Sequence, residues 1–183
     1  MTLDEQMMER ASALSRSAVA HGNEPFGAVL VKDGQIVAQG ENQIHTSHDP
    51  TYHAELGLIR TFCQATGITD LTDYTLYSSC EPCFMCSGSL VWAKLGRLVY
   101  GASDKDYCAI RGFAPNECSA LIFRESPAAP AVTEGVLRQE AKAVLEAYFN
   151  KKLYKLKYYD KIIQAGLASA RRKRVLLVFS GIP

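Results

Sequence analysis

No run of 18 or more apolar residues occurs in this 183-residue chain, so no segment reads as a membrane span. A basic stretch followed by an apolar run is also missing near the N-terminus, where Asp4, Glu5 and Glu9 stand instead. The expectation is a cytoplasmic protein without a signal peptide. Nothing points to secretion, so the six cysteines do not read as a disulfide framework. Internal repeats are absent. Net charge is close to absent as well, at +1, but the balance conceals an asymmetry. Residues 1–150 carry eleven Lys/Arg against eighteen Asp/Glu, and residues 151–183 carry nine against one.

What remains is ordinary globular composition, 48% hydrophobic and 21% charged, at a length that buries a full core. Leu3, Met7, Ala11, Leu14 and Ala18 recur at helical spacing and predict a helix over 3–20, ended by Gly22. Apolar runs at 26–31 and 35–39 flank Asp33-Gly34 and predict an antiparallel hairpin, with Asn42 at its exit. Asp49-Pro50 predicts a helix from about 51 to 65, with Asp49 as its N-cap. Strands follow at 74–78 and 97–101, with a helix opened by Pro82 between them. Residues 102–118 read as loop, 120–123 as a short strand and 134–149 as an amphipathic helix. This order predicts an α/β domain, a mixed sheet flanked by helices.

Two pieces carry chemistry: His53-Ala54-Glu55, and Pro82-Cys83-Phe84-Met85-Cys86. Each stands at a predicted helix start. Cysteines three apart there share one face, and the helix dipole favours their thiolates. With His53 they make a three-ligand set that suits Zn2+ and leaves a fourth position for water. Closure by Cys80, giving a structural zinc, is the alternative that counting leaves open. Glu55 is too near His53 in sequence to share the ion with it easily, and can instead move protons beside the bound water. On any other helix it would be an ordinary exposed glutamate. Cys63 and Cys108 read as small core residues.

The spacing H-x-E…P-C-x-x-C is the signature of zinc deaminases. With Glu24-Pro-Phe-Gly-Ala-Val29, Ser47–Glu55 and Tyr77–Cys86, the chain resembles the cytidine/deoxycytidylate deaminase superfamily, and within it the bacterial-type guanine deaminases. The resemblance spans roughly residues 5–150. It implies a three-layer cytidine-deaminase-like fold, a deaminase domain at 1–154 and a basic extension at 155–183. It further implies that His53, Cys83 and Cys86 hold one Zn2+ per subunit, with water as fourth ligand, and that Glu55 shuttles protons. Phe26 would stack on the base, Asn42 would bond its polar edge, the Ala54 and Cys83 amides would orient it, and Glu81 and Tyr154 would contact it.

The implied activity is hydrolytic release of ammonia from guanine or a related aminated purine, pyrimidine or triazine, by a homodimer. The segment 47–55 and Trp92 are similar to the guanine group, but Ala114 and Pro115 stand where that group carries acids after Gly-Phe. Glu117 is the candidate substitute. The alternatives are a tRNA adenosine deaminase, with nucleic acid held through the basic tail, and a non-catalytic zinc-stabilised binding module. Phe149 or Tyr154 is expected at a pocket mouth.

Overall fold

The hairpin forms where the turn chemistry demands it. Strands β1 (Gly27–Lys32) and β2 (Gln35–Glu41) pair antiparallel across Asp33 and Gly34, whose φ angles are 50° and 74°. Positive φ at both central residues is the type I′ geometry that matches strand twist. The computed structural model describes residues 1–150, of which Met1–Tyr148 make one compact unit. The basic segment 151–183, and with it Tyr154, lies outside the described residues.

Around the hairpin run α1 (Leu3–Ala20), α2 (Ala54–Thr66), β3 (Thr75–Cys80), α3 (Phe84–Trp92), β4 (Arg97–Ala102), α4 (Asp104–Arg111), α5 (Cys118–Arg124) and β5 (Ala131–Glu134). A further helix, α6, occupies 138–150. The strands form one sheet in the order β2-β1-β3-β4-β5. The β1 pairings are antiparallel, and β3–β4 and β4–β5 are parallel, so the sheet is mixed as expected.

Strand period 2 divides the core into two layers. Ala28, Leu30, Leu76, Leu98 and Tyr100 face one way, onto Leu58, Ile59 and Phe62 of α2, Leu90 of α3 and Phe123 of α5. Val29, Val31, Tyr77 and Val99 face the other way, onto Met8 and Ala11 of α1. On that second face a Cβ on Gly101 would come within 2.7 Å of the Ala141 Cβ, so the glycine lets α6 approach β4. Three layers result.

The first turn of α1 is bound to the far half of the sheet. Thr2 and Glu5 form a capping box. Asp4 then accepts from Tyr77 at 2.7 Å and from the two terminal Arg97 guanidinium nitrogens at 2.9 and 2.7 Å. Arg97 also donates to Thr133 of β5 at 3.0 Å. The Arg97 hydrogen bonds hold the Asp4 carboxyl below its usual range.

Four local expectations are corrected. The helix expected from 51 begins at Ala54, with His53 as N-cap. Asp49 Oδ1 instead accepts from the Thr51 amide and hydroxyl at 2.8 and 2.6 Å, closing an Asx turn before the helix. Residues 104–111, expected as loop, form α4 behind a Ser103/Asp106 capping box. The expected strand at 120–123 is part of α5, whose Phe123 joins the core. Residues 131–134 pair with β4 as β5, and the last helix starts only at 138.

Candidate functional site

The N-cap residues of α2 and α3 are His53 and Cys83, and neither side chain makes a capping bond. Ser, Thr, Asn or Asp would normally stand there and bond the helix amides. These two side chains turn toward each other instead, with His53 Nδ1 3.6 Å from Cys83 Sγ. Cys86, one turn into α3, completes a group whose ligand atoms all lie within 4.8 Å of one another. Cys80 ends β3, fully buried, and is not part of that group.

One imidazole and two sulfurs are the donors zinc prefers. Bonds of about 2.3 Å to sulfur and 2.0–2.1 Å to nitrogen, at a tetrahedral angle, separate the two donors by about 3.6 Å. The His53–Cys83 spacing meets that requirement.

The mutual contacts of the three donors push their titrations in different directions, and only Cys83 is moved toward the deprotonated form that binds a metal. The Cys86 hydrogen bond draws the Cys83 thiol down to about 4, and the His53 contact adds to the effect against the cost of burial. Cys86 moves the other way, raised by the same hydrogen bond and by burial. His53 is raised by its bond to Cys83, with burial opposing.

Glu55 is buried one residue inside α2. Its Oε2 lies 3.5 Å from Cys86 Sγ, and its Oε1 lies 3.0 Å from Ser78 Oγ. Desolvation raises its carboxyl above the usual range. Ser78 Oγ also lies 2.7 Å from the Cys80 carbonyl, an obligatory acceptor. A proton on Glu55 completes the chain, because Glu55 then donates to Ser78 and Ser78 to Cys80. The site thus contains a carboxyl that can hold a proton without leaving any of the three groups unpaired.

A cavity of about 230 Å3 opens onto these side chains. Phe26 forms part of its wall and meets Tyr107 edge to face, with centroids 5.9 Å apart. Glu81 also lines it, but both of its oxygens are engaged, one with the Asp104 amide at 2.7 Å and one with Ser119 Oγ at 2.6 Å. Ala54 is the first residue of α2, where amides have no partner within the helix. Asn42 is fully buried but does not line the cavity. Its Oδ1 accepts from the Ile44 amide at 3.2 Å, and its Nδ2 has no partner among the described residues. Glu117 lies in the left-handed region at the α5 N-cap, outside that wall. Phe149 is buried, while Trp92 is 88% exposed at the end of α3.

Among the lining residues that the sequence did not point to are Glu24, Phe84, Asp104, Tyr107, Asn116 and Cys118. Asp104 accepts from the Asn116 and Glu117 amides at 2.6 and 3.2 Å and so folds the 112–117 loop back over the site. Ser103-x-x-Asp106 was the available signal, since a capping box marks a helix start where a loop was expected. Glu24 carried no signal beyond its place before Pro25.

Residues 1–102 match the family model of the cytidine and deoxycytidylate deaminase zinc-binding region. A guanine deaminase from Bacillus subtilis is 47% identical over 103 residues, which is 56% of this chain and 66% of that protein, just under two thirds of its length. A tRNA-specific adenosine deaminase from Agrobacterium fabrum is 36% identical over 148 residues, covering 79% of this chain and 93% of that one. Among solved structures, the guanine deaminase from Nitrosomonas europaea superposes with a TM-score of 0.69 at 27% identity, over 80% of this chain and 84% of the other.

Proposed function

Since the chain belongs to the cytidine and deoxycytidylate deaminase family and is a hydrolase of carbon–nitrogen bonds, we propose that it releases ammonia from a free nucleobase, guanine or a close aminated analogue. One observation carries the choice of a small substrate. The cavity beside the donor cluster is about 230 Å3, and among the described residues its charged lining is Glu24, Glu55, Glu81 and Asp104, with no Lys or Arg. Ordinary ligand sites run to about 300–1,000 Å3. Nucleic-acid sites surround themselves with cations to hold phosphates. The 47% identity to a guanine deaminase supports the same choice.

In this proposal His53, Cys83 and Cys86 hold Zn2+. Zinc so bound supplies a nucleophile at neutral pH by lowering the pKa of water to about 7. Glu55 takes the proton at its carboxylate and delivers it to the departing amino nitrogen, with Ser78 fixing the orientation of Oε1. Phe26 stacks on the flat ring, and Tyr107 supports Phe26 from its edge. The Ala54 and Cys83 amides orient the base, and Asn42, whose backbone amide donates to the Phe26 carbonyl at 3.0 Å, holds the stacking residue from behind the wall. Glu81 serves the pocket by holding α4 and α5 in place.

A second reading, tRNA adenosine deamination, is favoured by the fuller coverage of the Agrobacterium relative and by the basic residues after 150. Ammonia release decides between them. Zinc-loaded protein is assayed on guanine, guanosine, adenine, adenosine, cytosine, cytidine, ammeline and a tRNA anticodon stem-loop. Turnover of guanine or another free base is expected, and turnover of the stem-loop alone would replace this proposal with the second. A homodimer is proposed as the assembly, and a monomer in sedimentation at micromolar concentration would refute it. Among the described residues no helix is long and apolar enough to cross a membrane.

A further inference from the structure

Among the described residues four carboxylates line the cavity, and three of them are committed. Glu81 is bound to Asp104 and Ser119, and Asp104 holds the amides of Asn116 and Glu117. Glu55 lies between Ser78 and Cys86. The side-chain carboxylate of the fourth, Glu24, accepts no hydrogen bond from any described residue, although the residue is half-buried at the wall.

Its backbone is held on both sides. The Phe26 amide donates to the Glu24 carbonyl at 2.8 Å across Pro25, whose ring fixes φ. The Pro25 carbonyl accepts from Ser15 Oγ at 2.7 Å. Asn23, 1% exposed, accepts from the His45 and Thr46 amides, both at 3.1 Å. An acceptor held on fixed backbone, partly withdrawn from water and lacking a donor, is matched by a ligand that brings one.

We propose that Glu24 is a specificity-determining residue of this pocket and accepts a ring N–H of the free base. The inference rests on the small-base reading above and narrows its substrate class. A carboxylate only accepts. Guanine offers ring N–H groups besides the amino group that leaves, at N1 and on its imidazole ring, and free cytosine offers one at N1. Adenosine within a nucleic acid offers none, because N1, N3 and N7 are acceptors and N9 carries the ribose. Glu24 therefore favours a free heterocycle with a ring N–H and opposes adenosine, whose ring nitrogens would place lone pairs against its oxygens.

The test compares wild type with Glu24→Gln and Glu24→Asp, all zinc-loaded, on guanine, 1-methylguanine and 9-methylguanine. Ammonia release, zinc content and circular dichroism are recorded for each. Glutamine keeps the size and loses the charge. Glu24→Gln is expected to retain zinc and fold and to lose about 10–100-fold in kcat/KM on guanine, chiefly through KM. Wild type is expected to reject at least one methylated base, and the variant to reject it less by a similar factor. Glu24→Asp, which keeps the charge, is expected to recover part of the loss. Values for Glu24→Gln within twofold of wild type on all three bases would overturn the role of Glu24 while leaving the small-base reading intact. Ammonia from the tRNA stem-loop and from no free base would overturn that reading itself.

Discussion

Glu81 accepts the backbone amide of Asp104 at 2.7 Å, so the residue just after β3 anchors the start of α4 from 23 positions away. Asp104 then gathers the amides of the 112–117 loop. Asp104→Asn exchanges one acceptor oxygen for a donor that faces those amides. The expected cost is about 1–3 kcal/mol, or roughly 2–10 °C in Tm for a chain of this size. KM should rise while zinc content stays at the wild-type level. An unchanged melting curve with an unchanged KM would show that the relay does not hold the pocket wall.

Glu55→Gln removes the proton carrier and keeps the shape. Turnover is expected to fall by about 10²–10⁴-fold, with zinc retained, because the carboxylate is not one of the three clustered donors. Metal analysis beside steady-state kinetics checks both halves. Activity near wild type would refute the assignment of proton transfer to this residue.

Cys83→Ala is expected to lose zinc and activity together, since it removes the sulfur already biased toward thiolate. Treating wild type with a chelator should abolish turnover, and added Zn2+ should restore it. Full zinc content in the variant would exclude Cys83 as a ligand.

Stability at acid pH should depend on Asp106. The Arg138 hydrogen bonds at 2.8 and 2.9 Å hold its carboxyl down at about 2, against a reference value of 3.8. The folded value lies below the unfolded one, so this contribution is fully present above about pH 4 and is lost as pH falls toward 2. Arg138 is half exposed, and screening reduces the effect to about 1–2 kcal/mol. The gap in Tm between wild type and Asp106→Asn should therefore narrow as pH drops through that window. A gap independent of pH would mean that the ion pair contributes nothing.

The parts of the fold that the sequence made legible are those where a local pattern agrees with tertiary packing. The hairpin at 27–41 had alternation and Asp-Gly, and α1 had a clean apolar stripe. The 120–123 run misled because four apolar residues fit a strand or a buried helix equally well. Asp49-Pro50 imitated a helix start, since an Asx turn and an N-cap use the same side-chain oxygen. At the site, His53, Glu55, Cys83 and Cys86 were legible because their chemistry constrains their spacing. Glu24 and Asp104 were not, since a lone carboxylate carries no spacing, and only the three-dimensional wall identifies them.

The clamp on Asp4 has a consequence for synthesis. Its partners lie 73 and 93 positions later in the chain, at Tyr77 and Arg97. At about 5–20 residues per second, ribosomes need roughly 5–20 seconds to reach Arg97 after Asp4. During that interval α1 has β1 beside it but still lacks Tyr77 and Val99, the later-made part of the layer over Met8 and Ala11. The first helix to emerge therefore completes its anchorage only when the far half of the sheet has been made.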